Sequence, residues 1–204
     1  MTLAAVAFAA TMNAQFYVGG SLGFETKTTS TDFKDVNDKG DEITKTVDNT
    51  WSKFSIKPEV GYKLNDKMAV GLTIGFSSTD DKDANNNKIS EFEIAPYFRY
   101  TFITWNKVSL FADAQLAYTT GTTTEYFTEK DGKESSSDNT INSFGISIRP
   151  GIAYQANEKI SFVAHIGNLL GYKHEKLSEV STANTFSVLG LNTLGLEIGA
   201  YYNF

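Results

Sequence analysis

The last thirteen residues, 192–204, read N-T-L-G-L-E-I-G-A-Y-Y-N-F. Leu194, Leu196, Ile198, Ala200, Tyr202 and Phe204 fall on one face of an extended strand, and Thr193, Gly195, Glu197, Gly199, Tyr201 and Asn203 on the other. A period of two held to the final residue gives one apolar face and one face of small, polar and charged groups. Such a strand needs a partner on each edge and an apolar medium against one face. It is expected to close a transmembrane β-barrel.

The same period runs back through the chain. Phe16, Val18, Leu22 and Phe24 share a face, as do Phe54 to Leu64 and, after a tight turn at Asn65-Asp66-Lys67, Met68 to Phe76. Phe92 to Phe102, Val108 to Tyr118, Phe144 to Tyr154 and Ile160 to Ile166 continue the pattern, with short turns at Trp105-Asn106-Lys107 and at Asn157-Glu158. Polar stretches, Thr26–Thr50, Thr79–Asn87, about Thr120–Asn139 and about Tyr172–Asn184, are read as loops. The expectation is all-β: eight antiparallel strands in one up-and-down barrel, connected alternately by long loops and short turns.

An internal repeat supports the assignment. Ile56-x-Pro58-x-Val60-x-Tyr62, Ile94-x-Pro96-x-Phe98-x-Tyr100 and Ile148-x-Pro150-x-Ile152-x-Tyr154 share a pattern that residues 196–204 follow without the proline. Proline removes a ladder donor, so three at one register suggest a repeated local feature such as a bulge. Each copy ends at the short-turn side. Tyr62, Tyr100, Phe102, Trp105, Tyr154, Tyr202 and Phe204 would form one aromatic girdle there, and Phe24, Trp51, Phe76, Phe92, Tyr118 and Phe144 the other.

Residues 1–14, with the apolar run Leu3–Ala10, read as a secretory signal peptide with Gln15 as mature N-terminus. The basic residues that normally precede such a core are missing, which would place the natural start upstream of Met1. Residues 15–204 form one domain, since no Pro/Gly/Ser-rich linker divides them. Without cysteine there is no thiolate metal site, disulfide or thiol nucleophile. A net charge of -6 with scattered Lys and Arg argues against nucleic acid as a partner.

The apolar signal segment, the alternating strands, Pro58-Glu59-Val60-Gly61-Tyr62 and the terminal aromatic resemble the small outer-membrane β-barrel proteins of Gram-negative bacteria, of the OmpA/OmpX type or the porin-family barrel group. The resemblance implies an outer-membrane location, contact with membrane lipid and lipopolysaccharide, and a monomer. It also implies that the barrel-assembly machinery reads Tyr202 and Phe204. A non-enzymatic role in membrane integrity, adhesion or recognition of an extracellular ligand through the loops would follow, with a narrow pore as the alternative.

A soluble lipocalin-like barrel shows the same alternation with its faces reversed. In the membrane reading Lys57, Glu59, Glu93, Arg99, Asp113, Arg149, His165 and Glu197 project into a narrow lumen and pair with one another. No catalytic, cofactor-binding or metal-ligating set stands out. His174, beside Glu175 and near Ser178, offers the elements of a lipid-modifying triad, but one histidine in a charged loop is ordinary. Asp81-x-Asp83-x-Asn85-x-Asn87 lacks the glycine and closing glutamate of a calcium loop and reads as a solvated acidic segment. Deleting Phe204 should lower the amount of protein inserted in the outer membrane; immunoblots of membrane fractions showing normal levels would contradict the sorting role.

Overall fold

The computed structural model describes residues 15–36, 42–81, 87–128, 134–177, 181–190 and 196–204. The expected signal peptide lies outside them, as do Asp83, Asn85, Ser178 and Leu194.

Ten strands occur among the described residues: β1 (Phe16–Val36), β2 (Glu42–Lys63), β3 (Met68–Asp81), β4 (Lys88–Trp105), β5 (Val108–Thr128), β6 (Glu134–Gln155), β7 (Ile160–Ile166), β8 (Asn168–Leu177), β9 (Ser181–Gly190) and β10 (Leu196–Asn203). Consecutive strands pair antiparallel from β1 through to β7, β7 pairs with β10, and β10 pairs with β1. The sheet therefore closes on itself. Strands β8 and β9 form a hairpin whose first strand continues along β6 from Ile148↔Leu170 to Ile141↔Leu177.

The sequence reading of the polar stretches as loops is corrected here. β1 and β2 remain paired from Phe16↔Tyr62 up to Val36↔Glu42, and β5 and β6 up to Thr128↔Glu134. The stretch 172–184 belongs mostly to the β8–β9 hairpin. Polarity there reports water on both faces, while threonine favours extended backbone. Side chains bond across the ladders, as Thr28 with Thr50 at 2.9 Å, Thr46 to Asp32 at 2.8 Å and Thr124 to Asp138 at 2.7 Å.

The short turns are built by asparagine. Asn65 Oδ1 accepts from the backbone amides of Lys67 and Met68, each at 2.9 Å, and Asn157 Oδ1 does the same for Lys159 and Ile160. Asn106 adopts φ 54°, which asparagine tolerates better than most residues.

The prolines act differently from the expected bulge. β2 and β3 pair at Ile56↔Phe76 and again at Glu59↔Thr73, in unchanged register but without bridges at Lys57 and Pro58. β4 and β5 skip Ala95 and Pro96 in the same way. Each proline faces its missing amide toward the following strand, at the cost of a local gap in the ladder. Only near Pro150 does the register move. From Gly151↔His165 to Ile148↔Leu170 the chain takes five steps on β7–β8 against three on β6, and the excess sits at Gly167, whose φ is 53°. A separate bulge lies between Thr101 and Ile103.

Burial settles which face is inside. Ser21, Ser55, Thr73, Arg99, Asp113, Gln115, Ser143 and His165 are buried, whereas Leu22, Phe54, Ile56, Val60, Ile152, Phe162 and Ile198 are exposed. The faces are those of a membrane barrel, and the reversed, lipocalin-like arrangement is excluded. An exterior apolar around the whole sheet needs an apolar solvent. Ile198→Arg, in the middle of that band and 58 % exposed in the wild-type chain, should lower stability in lipid vesicles by about 2–4 kcal/mol in urea unfolding. A water-facing position would tolerate the change.

Candidate functional site

All eight charged residues expected in the lumen lie on inward positions, and they separate into two layers. The layer nearer the short turns centres on Arg99 of β4. Its Nε and Nη2 donate to the two oxygens of Asp113 on β5 at 2.7 and 2.8 Å, a bidentate pair, and the same Nη2 reaches Glu59 of β2 at 3.4 Å. Arg99 and Asp113 are directly opposite in the β4–β5 ladder, so register alone brings them together. His165 Nε2 of β7 donates to Asp113 Oδ2 at 3.0 Å, leaving Nδ1 without a hydrogen-bond partner among the described residues.

Four aromatic rings that sequence reasoning did not single out complete this layer. The Arg99 guanidinium lies 4.1 Å from the ring centre of Phe111, 5.2 Å from those of Tyr97 and Tyr201, and 5.9 Å from that of Tyr17. Tyr201 accepts from Arg99 Nη2 at 3.1 Å. The Tyr97 hydroxyl donates to Glu59 at 2.5 Å and accepts from Tyr17 at 2.5 Å.

Each ring lies over a glycine directly across the ladder. Tyr17 faces Gly61, Tyr97 faces Gly71, Phe111 faces Gly151 and Tyr201 faces Gly19. A methyl group at these glycines would come within 2.1 to 2.5 Å of the ring, closer than atoms can approach. The glycines make room for rings, and the rings fill the lumen. Tyr17, Tyr97, Arg99, Phe111, Asp113, His165 and Tyr201 are each no more than 8 % exposed, and they come from β1, β4, β5, β7 and β10. This layer packs the lumen at its level with side chains that water scarcely reaches.

The second layer lies toward the long hairpins. Glu197 of β10 receives Lys57 Nζ at 2.8 Å, Arg149 Nη2 at 2.5 Å and Ser21 Oγ at 3.4 Å. Glu93 is 3.6 Å from Lys57, and its Oε1 accepts no hydrogen bond among the described residues. Above these groups is a cavity of about 470 Å3, lined by Gly, Ser and Thr between charged residues. A further pair, Lys53 with Glu91 at 2.8 Å, stands in its wall.

This combination of a closed antiparallel sheet, an apolar exterior and a charged, ring-packed interior agrees with comparisons to known proteins. The model of the outer membrane protein beta-barrel domain family matches residues 1–204. The chain belongs to that family. As an outer membrane β-barrel it is similar in fold to Neisserial surface protein A, with 18% identity, 93% of this chain and 97% of that one covered, and a TM-score of 0.50. A major outer membrane protein from Thermus thermophilus is similar over 95% of this chain and 100% of its own, at 12% identity and a TM-score of 0.54. Among curated proteins there is no match.

Outside this β-barrel the expected girdle residues gather at the short-turn end. Tyr100, Phe102, Trp105, Tyr154 and Tyr202 are exposed, while Tyr62 is half-buried edge-on against Phe16 and Phe204 packs edge-on against Tyr202. His174, the other histidine, bonds to Asn184 at 2.7 Å on the hairpin β8–β9.

Removing one partner of a buried ion pair leaves the other charge uncompensated, which costs about 3–5 kcal/mol. Arg99→Ala, stranding Asp113 and Glu59, should lose stability of that order in urea unfolding. Arg99→Met combined with Asp113→Leu should recover part of it, because of the two carboxylates only Glu59 is then left without its cation, although His165 and Tyr201 each lose a hydrogen bond.

Proposed function

We propose that the chain is a non-enzymatic transmembrane barrel of the Gram-negative outer membrane, built as eight staves, that presents its long hairpins at the cell surface for adhesion or recognition. Eight staves result when β7 with β8, and β9 with β10, are each taken as one interrupted stave; the shared pairings of β6 with both β7 and β8 support this. The outward apolar band and the family membership support the location.

The single observation carrying the reading is the seal around Arg99. A barrel whose lumen is filled by side chains that water scarcely touches is a support, not a conduit. What it supports is the set of hairpins at the opposite end. There β1–β2 extends as paired strands well past the last outward aromatic, with exposed charges joined across the ladder, such as Lys45 to Asp35 at 2.5 Å. Paired backbone holds these surfaces in place at less entropic cost than a free loop would carry on meeting a partner. The resemblance to adhesion-type and integrity-type barrels points the same way, and the lipid contacts and the assembly machinery enter as partners through it.

The narrow-pore reading makes the opposite prediction. Purified protein inserted in planar bilayers should show no discrete conductance steps, and Gly71→Ala with Tyr97→Ala, which removes one ring of the seal, should introduce them. Stepwise conductance by the unaltered chain would overturn the sealed-support reading.

A further inference from the structure

The sealed layer turns the hairpin-side cavity into a dead end, and its charges are not distributed evenly. From β1 to β4 the cavity receives Glu25, Glu91 and Glu93 against Lys53 and Lys57. From β6 and β8 it receives Arg149 and Lys173 and no carboxylate, Lys173 being paired with Glu175 of its own strand at 2.5 Å. Glu197 of β10 lies between the two walls and is satisfied by Lys57, Arg149 and Ser21. In sum the lining is balanced, yet it is polarised across the lumen.

The two walls also hold unused bonding capacity of opposite kinds. Glu93 lines the cavity with its side chain 24% exposed; Lys57 stands 3.6 Å away, beyond hydrogen-bond distance, and the buried Oε1 accepts nothing among the described residues. Across the lumen Arg149 Nη2 is occupied by Glu197, but Nη1 makes only a long contact of 3.3 Å to Gln115 Oε1. Among the described residues no ion pair joins Glu93 to Arg149, and both line the cavity, so a carboxylate group stands in one wall and a guanidinium in the other. Gly75 sits beside Glu93, where even a methyl group would approach its Oε1 to 3.2 Å, and Gly145, Ser147 and Thr119 keep the remaining wall small and polar. A volume of about 470 Å3 falls within the range of small-molecule sites.

We infer that this cavity binds a small zwitterion entering from the cell-surface end, its ammonium group on Glu93 and its carboxylate on Arg149. A dication would bring one of its charges against Arg149, and a dianion one of its charges against Glu93. A neutral solute would leave both unused sites unsatisfied. Only a molecule carrying one charge of each sign at its two ends answers the polarised lining. Because the far side is sealed, binding is a terminal event and not a stage of passage.

The test is a ligand-observed NMR titration of the full barrel in detergent micelles with L-alanyl-L-alanine. The comparison solutes are putrescine, succinate and N-acetylalaninamide. The zwitterion should bind at least tenfold more tightly than each of the three. Glu93→Gln removes the charge with little change of shape and should weaken that binding at least tenfold. Ala117→Trp, which fills the cavity without touching a charge, should abolish it. Both variants are checked for the faster migration of unboiled protein in gels, so loss of binding is separable from loss of the barrel. Absence of binding to the correctly folded wild-type chain, equal binding of putrescine or succinate, or an unchanged affinity in Glu93→Gln would each overturn the assignment. Those outcomes leave the sealed-support function standing, since conductance tests that separately.

Discussion

The bidentate contact between Arg99 and Asp113 is the interaction on which the interior depends. Two carboxylates and a guanidinium in a space almost free of water are costly to strip of hydration, and they persist only because nearly every polar atom there has a partner. Arg99 supplies most of those partners: it satisfies Asp113, reaches Glu59, donates to Tyr201 and offers its face to four rings. Around it the tyrosines settle the remaining oxygens. The rings in turn need glycine opposite them, so one ion pair fixes the identity of residues on strands far apart in the chain.

The exterior follows from a different constraint. Every residue beside an inward charge points outward, and the outward set is apolar because only an apolar environment can cover a closed sheet whose inside is already full. The family membership and the fold similarity agree with that physical conclusion without being needed to reach it. The cavity beyond the Arg99 layer, with its opposed wall charges, is a part of the lumen open to a solute.

Strand phase was legible in the sequence because a period of two survives local irregularity, and it placed Lys57, Glu59, Glu93, Arg99, Asp113, Arg149, His165 and Glu197 on one face. What composition hid was extent. Thr26–Val36 and Thr120–Thr128 look like loop, yet they are strand, since threonine serves both solvent and ladder. The aromatic seal was hidden for another reason. Tyr17 and Phe111 stand on the polar face by parity, but the fact that each lies over a glycine depends on register, which connection lengths fix only once both partners are known. Gly167 gave no warning, because a lone glycine in an alternating run does not announce two extra residues.

The closing ladder joins the first of the ten strands to the last. Between β1 and β2 the pairing runs from Phe16↔Tyr62 to Val36↔Glu42, whereas between β1 and β10, among the described residues, it runs only from Tyr17↔Asn203 to Gly23↔Glu197. These partners sit at opposite ends of the chain, so a short zipper joins the most distant residues and pays the greatest chain-closure entropy. Nothing can lock it until the final residues exist. The last strand is therefore the keystone of the ring: hairpins can form early and locally, but the cylinder becomes a single object only when Asn203 and Phe204 find β1.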